Sequence, residues 1–364
     1  MSTFAINPIE SIHTTPPAPR AALDVYYTIC PVFSASHIAV EFGWLAEEFK
    51  AAGANLKYLR ALPEGRGWLP HFSHQLEGHL FRDGGNIPSI WAHADNRPTR
   101  LLGLTWSPYA GRVLVRADSD IFRVADLRGR KIGLNKSQNT AKVDFARGTA
   151  ERGIESALAL HGLRRTDVEI VDILSTDAPV TAAGTKPSDL WARNHRQNPS
   201  PYGEDALALR DGRIDAIYTH APRHAFLEQT GEFKVIEDLA QQPDWTLKLA
   251  NSPWAITVDN DLAEKAPEVP VAYLRSVIRA GRWINTHREA AATILQRISP
   301  QLSLEEVTVA LRKIPDFEPN LSAQNLAGIQ LQKKFLLSHG YVKRDFNVQD
   351  WAAPDLLAEA HRTL

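Results

Sequence analysis

The stretch Leu23-Asp24-Val25-Tyr26-Tyr27-Thr28-Ile29 constrains the chain most. It is rich in β-branched and aromatic residues and predicts a strand. It runs directly into Cys30-Pro31, and Pro31 suits the first turn of a helix, where its missing N–H costs nothing. Ile38, Phe42, Leu45 and Phe49 then recur at helical spacing towards Gly53. Asn55 to Leu59 reads as a second strand. A strand, a helix and a strand in immediate succession commit the chain to a parallel α/β sheet.

Further units follow. Thr99 to Thr105, Val113 to Val115, Lys131 to Leu134, Val168 to Ile173 and Ile214 to Thr219 predict strands, while Val143 to Gly162 and Glu204 to Arg210 predict helices. Residues 175–203 read as a loop rich in Pro, Ser, Asn and Thr, and the chain beyond Leu262 is mostly helical, broken by Pro300, Pro315 and Pro319. With 364 residues the chain has room for two or three domains. The turns Asp126-Leu127-Arg128-Gly129 and Asp211-Gly212-Arg213-Ile214-Asp215-Ala216 resemble those of type II periplasmic-binding-protein domains. That resemblance implies an α/β fold of two lobes, each a mixed sheet flanked by helices, with a ligand cleft between them. The expected organisation is a flexible tail over residues 1–20, one lobe from 21–111 plus 252–364, and the other from 112–251.

Composition removes several classes of function. Lys and Arg total 41 against 42 Asp and Glu, for a formal net charge of -1, so no basic field is present to hold nucleic acid or a membrane surface. No apolar run is long enough to span a bilayer. The N-terminal stretch has no basic start followed by an apolar core, so the expected setting is the cytoplasm. The single cysteine, Cys30, excludes an internal disulfide and a multi-thiolate zinc site.

Candidate chemistry gathers in two places. Cys30 lies at the carboxyl end of the first strand, where open α/β sheets present ligands, and ahead of a helix whose dipole would lower its pKa. The structural alternative is a buried small hydrophobe. The stretch from Pro63 to Pro88 reads as a loop holding His71, His74, His79, Arg82 and the pair Gly84-Gly85. Arg82 offers a fork of donors for an oxyanion, and consecutive glycines let backbone N–H groups approach one closely. The three histidines could instead ligate a metal. His220, ending the strand Ile214 to Thr219, could face the cleft, and Trp191 and Trp254 could form apolar walls. No phosphate loop, nucleophile elbow or dinucleotide fingerprint occurs, so no cofactor and no metal is expected.

Several of these residues fall into one pattern. Tyr27-Thr28-Ile29-Cys30-Pro31-Val32, His71-Phe72 and Arg82-Asp83-Gly84-Gly85-Asn86-Ile87-Pro88 resemble the 2'-hydroxybiphenyl-2-sulfinate desulfinase family of the dibenzothiophene desulfurisation pathway. Arg100 to Gly103, Asp126 to Gly133, Gly212 to Tyr218 and Trp351-Ala352-Ala353-Pro354 extend the resemblance over nearly the whole chain. It implies cofactor-free cleavage of a carbon–sulfur bond, in which an aryl sulfinate and water give the arene and sulfite. The family's essential cysteine falls on Cys30, its histidine on His71, its sulfinate-binding arginine on Arg82 and its backbone anion donor on Gly85. Gly84, Phe72, Thr28, Trp191 and His220 are the further expected substrate contacts.

The departures bear on substrate. The spacing from His71 to Gly84 is one residue longer than the family's, which makes His74 a second claimant to the histidine role. Thr28-Ile29 replaces the family's Ser-Asn. The family's pocket tryptophan has no counterpart near Thr149-Ala150-Glu151, whereas Trp191 matches an aromatic wall. Cys30 could attack sulfur as a thiolate or protonate the ring carbon as a thiol. The competing readings are a sulfonate-, nitrate- or taurine-type solute-binding protein, a lyase for an alkenyl sulfinate and, remotely, a thiamine-pyrimidine-synthase-like relative. The expected partner is a small anionic sulfinate, with no nucleic acid or membrane, and the expected state is a monomer.

Overall fold

Alternation along each strand builds the first sheet. In the computed structural model, which describes residues 23–175, 184–197, 202–220 and 223–364, Leu23–Ile29 forms β1, followed by Ala35–Glu41 (α1), Trp44–Ala51 (α2), Ala54–Tyr58 (β2), Pro70–Ser73 (α3), His79–Gly84 (β3), Asn86–Trp91 (α4) and Thr99–Thr105 (β4). The expected tail over residues 1–20 lies outside the described residues. The expected single helix after Cys30 is two helices, because Gly43 adopts a left-handed φ of 77° that closes the first and opens the second.

The chain then builds a second sheet from Arg112–Arg116 (β5), Lys131–Ser137 (β6), Glu169–Ser175 (β7), Ala216–Thr219 (β8) and Phe233–Asp238 (β9), with Phe145–Leu160 (α5) and Pro187–Gln197 (α6) among its connections. It returns to the first sheet with Trp254–Asp259 (β10), and the remainder is helical. The first sheet has the order β2-β1-β3-β10-β4 and the second β7-β6-β8-β5-β9. β1 runs parallel to both β2 and β3, while β10 runs antiparallel to β3 and β4. This is a mixed α/β fold of two flanked sheets.

Alternation divides each sheet between two cores, with a bulge opposite Ile256 and Thr257 shifting its phase along β4. On β4, Leu102 packs with α1, α2 and the helix Glu268–Thr286, whereas Leu101 and Leu104 pack with α4 and the helix Ala323–Ser338. On β5, Val113 and Val115 meet α5, and Leu114 meets the opposite core.

Two expected loops are regular structure. Residues 63–88 contain α3 and β3, a central strand, and residues 175–203 contain α6. α6 leaves the second sheet and packs against the first. Lys186 pairs with Glu41 at 2.8 Å, and Leu190 and Trp191 join the core beside Ile29. The sheets also meet through α5: Tyr341 donates to Glu151 at 2.6 Å and His339 pairs with Glu155 at 2.9 Å.

Candidate active site

Three parallel strands end side by side, and the carboxyl ends of β2, β1 and β3 carry Arg60, Cys30 and Gly84-Gly85. The β1–β3 pairing extends one residue past the strand, since the Cys30 N–H donates to the Asp83 carbonyl at 2.8 Å. Pro31 has no N–H with which to continue the ladder, so the chain turns away there. Cys30 is thus the last sheet-anchored residue, and His37 Nε2 donates to its carbonyl at 2.9 Å.

His71 approaches from α3, which is a single turn. Pro70 opens it, and His74, with a left-handed φ of 59°, ends it. His71 Nε2 lies 3.4 Å from Cys30 Sγ, and its Nδ1 lies 2.7 Å from Thr28 Oγ1. His74 faces a different strand, its Nε2 3.0 Å from Thr257 Oγ1. His71 and not His74 therefore reaches the thiol. His79 pairs with Asp259 at 2.6 Å, so the three histidines diverge and form no metal cluster. Among the described residues the grouping suited to a metal is Glu151, Glu155 and His339. There Arg165 already spans the two carboxylates, at 2.7 and 3.2 Å.

Arg82 lies in register between Thr28 on β1 and Thr257 on β10 and is fully buried. Its Nε donates to the His71 carbonyl at 2.8 Å, and Nη1 donates to the Gly85 carbonyl at 3.0 Å and to Ser89 Oγ at 2.8 Å. Nη2 points at Cys30 Sγ, 3.2 Å away. Of the five N–H donors of a guanidinium, four are committed to the protein. The open fork expected of Arg82 is a clamp with one hydrogen left over.

The two glycines are explained by space. A Cβ on Gly84 would lie 2.3 Å from Cys30 Sγ, and one on Gly85 would lie 2.3 Å from the Asn251 amide. Asn251 Oδ1 in turn accepts from the Ile87 N–H at 3.0 Å. The Gly85 N–H is directed at the Cys30 sulfur. Asn86, the next residue, is fully buried, and neither atom of its amide has a protein partner.

The electrostatics differ from the expected lowered thiol pKa. Cys30 keeps some solvent access, yet burial pushes its pKa up. Arg82, the Gly85 N–H and Arg60 pull the other way, Asp83 adds to the rise, and burial wins. α1 begins only at Ala35, so no helix N-terminus sits on the thiol. Burial, reinforced by Arg82, Arg60 and His74, holds His71 well below the usual imidazole range. The resting pair is a neutral thiol beside a neutral imidazole.

Aromatic rings surround this pair. Trp191 Nε1 donates to the Ile29 carbonyl at 2.7 Å, and its ring centroid lies 5.8 Å from that of His71. Phe72 lies 4.9 Å from His71 and stacks at 5.8 Å on Phe145, the first residue of α5. The Lys142 ammonium lies over both phenyl rings, at 5.7 and 5.3 Å. Two expected residues lie apart. His220 packs against Tyr109 with centroids 4.5 Å apart, and burial drives its pKa down to about 4. Trp254 is a core residue of β10.

Sequence reasoning missed Arg60, Ser89, Asn251 and Phe145. Arg60 alone carried a signal, since it directly follows a strand whose carboxyl end adjoins that of β1.

No family model matches the chain. The 2'-hydroxybiphenyl-2-sulfinate desulfinase of Rhodococcus erythropolis is 29% identical over 362 residues, covering 91% of this chain and 92% of that protein, and its counterpart from Rhodococcus qingshengii matches equally. The crystal structure of a cysteine-to-serine mutant of DszB in complex with biphenyl-2-sulfinic acid superposes with a TM-score of 0.67 at 25% identity, covering 94% of this chain and 99% of that one. The periplasmic aliphatic sulphonate binding protein SsuA of Escherichia coli, at 17% identity and a TM-score of 0.59 over 90% of each chain, shares the fold. The chain is therefore a homologue of 2'-hydroxybiphenyl-2-sulfinate desulfinase, built on a periplasmic-binding-protein-like fold.

Proposed function

We propose that this protein is a desulfinase that cleaves the carbon–sulfur bond of an aryl sulfinate, giving the arene and sulfite. The observation that carries this reading is the surround of Cys30 Sγ, with His71 Nε2 at 3.4 Å, Arg82 Nη2 at 3.2 Å and the Gly85 N–H directed at it. A buried thiol encircled by donors is suited to holding an anion beside it and to stabilising its own thiolate when that forms. Homology over most of the chain supports the same chemistry.

Cys30 acts as the proton donor. Burial keeps the thiol protonated, and His71, held neutral, is a poor base for removing that proton. The sulfinate docks by its charge against Arg82, with the ring between Trp191 and the Phe72–Phe145 stack. The thiol proton passes to the ring carbon bearing sulfur. The carbon–sulfur electron pair then returns to the ring, and sulfur dioxide departs. Water adds to sulfur dioxide to give bisulfite and a proton, and that proton restores the thiol. Arg82 and the Gly85 N–H stabilise the transient thiolate, and Thr28 orients His71 beside it.

All these groups belong to one chain, so the proposed site is complete within a monomer. No helix among the described residues is long and apolar enough to cross a membrane. A free working thiol supports a reducing, cytoplasmic setting.

Incubation with biphenyl-2-sulfinate and measurement of sulfite tests the reading. The unmodified protein is expected to release sulfite and Cys30→Ser to release none while still binding the sulfinate. Tight binding without sulfite from the unmodified protein would establish a solute-binding protein instead.

A further inference from the structure

The sulfur end of the site offers an incoming anion little from Arg82 beyond its charge. Four of the five Arg82 donors hold His71, Gly85, Ser89 and Cys30, which leaves one hydrogen for a group with two oxygens. A second guanidinium is buried near enough for its charge to act on the same thiol. Arg60 is 4% exposed and lies two residues past the end of β2, the parallel neighbour of β1. Its Cζ lies 5.7 Å from the centre of the Trp191 ring, a cation–π placement. That same ring is bonded through Nε1 to the residue before Cys30 and lies 5.8 Å from His71. The charge of Arg60 is felt at both reacting groups. It draws the Cys30 pKa down against burial and adds to Arg82 in depressing that of His71.

We propose that Arg60 is a positioning residue of the anion subsite, a second fixed positive charge that acts with Arg82 to hold the sulfinate against Cys30. The two arginines divide the task. Arg82 builds the walls of the site and contributes one hydrogen, while Arg60 supplies charge across a region of low dielectric, where it is weakly screened. The inference takes from the desulfinase reading only the identity of the anion.

The test uses two unreactive probes of equal shape and unequal charge, biphenyl-2-sulfonate and biphenyl-2-yl methyl sulfone, titrated calorimetrically into the full chain. Arg60→Gln is expected to lose at least about tenfold in sulfonate affinity and to bind the sulfone almost unchanged. Arg60→Lys, which keeps the charge, is expected to recover most of the loss. Equal losses for both probes would reduce Arg60 to a packing role and overturn the proposal. So would unchanged sulfonate affinity, or no sulfonate binding by the unmodified protein. Should Arg60→Gln fail to fold, Arg60→Lys decides, because collapse of the sulfonate preference in a folded Arg60→Lys protein equally overturns the proposal. Neither probe is turned over. A protein that holds the sulfonate through Arg60 yet never releases sulfite would refute the desulfinase reading and leave this one standing.

Discussion

Gly84→Ala places one methyl group where the thiol sits. The added Cβ would lie 2.3 Å from Cys30 Sγ and 2.5 Å from Cys30 Cβ. Ordinary contacts lie at about 3.5–4.0 Å, so one partner must retreat by at least about 1.2 Å. The backbone cannot give way cheaply. Gly84 is paired with Ala255 on one side, and the adjoining Asp83 is paired with Ile29 on the other. The thiol moves instead and leaves both His71 and Arg82. Overpacking of this kind costs about 1–3 kcal/mol, and misplacing a reacting group by about 1 Å costs about 10²-fold in rate. Thermal denaturation and sulfite release measure the two effects separately. A double-mutant cycle with Cys30→Gly, which removes both clashing atoms, is expected to recover the steric part of the loss as coupling energy, while the strain of an alanine at the Gly84 φ of 157° remains. An unaltered melting temperature and rate in Gly84→Ala, or the same stability loss with Cys30 already replaced by glycine, would refute the steric reasoning.

Other perturbations have distinct signatures. Thr28→Val removes the 2.7 Å partner of His71 Nδ1; it should lower kcat by about tenfold with little change in KM, and Thr28→Ser should restore it. Arg82→Lys keeps a charge but leaves the His71 and Gly85 carbonyls and Ser89 without their partners, so a stability loss of about 3–5 kcal/mol is expected in urea titration. Trp191→Phe deletes the N–H to the Ile29 carbonyl, and a melting-temperature loss larger than that of Phe72→Leu would support its role in anchoring the end of β1. Stability should also fall on acidification. Burial drives His37, His74, His93 and His220 below the usual imidazole range, down to about 4, about 3, about 4 and about 4. The unfolded chain takes up those protons near about pH 6.5, while the folded chain refuses them until about pH 4, so the unfolded state binds more protons throughout that window. His339, whose pKa is raised beside Glu155, and Asp83, whose carboxyl burial pushes up, oppose the trend. The urea midpoint at pH 5 should lie below that at pH 7, and an equal or higher one would contradict this assignment.

The strand ending at Cys30 was legible because β-branched and aromatic residues stop at a proline. The strand carrying Arg82 was not. His79-Leu80-Phe81-Arg82-Asp83-Gly84 reads as a polar, glycine-bearing loop, yet it is the middle of a sheet. Its charged side chains are tolerated there because acceptors on α3, Gly85 and Ser89 are brought to Arg82 by folding, and hydropathy does not register such partners. α6 was hidden in the same way, since its proline start and polar flanks resemble a loop, and only packing against Glu41 and Ile29 shows where it belongs. The expected helix-dipole effect on Cys30 failed on a boundary: α1 starts at Ala35 rather than at Pro31. Phe145 escaped notice because its partner, Phe72, is distant in the chain and reached from the other sheet.

In the proposed reaction, the groups assigned to sulfur and those assigned to the ring have separate origins. Cys30, Arg82 and the glycine pair ride on adjoining strands of one sheet, whereas Trp191 and Phe145 are delivered by α6 and α5, segments threaded in from the other half of the chain. On that proposal, the reaction centre can be refitted with new aromatic walls without disturbing its sulfur chemistry. Divergence among such proteins should accumulate in the borrowed helices first, widening the range of molecules accepted long before the bond that is broken changes.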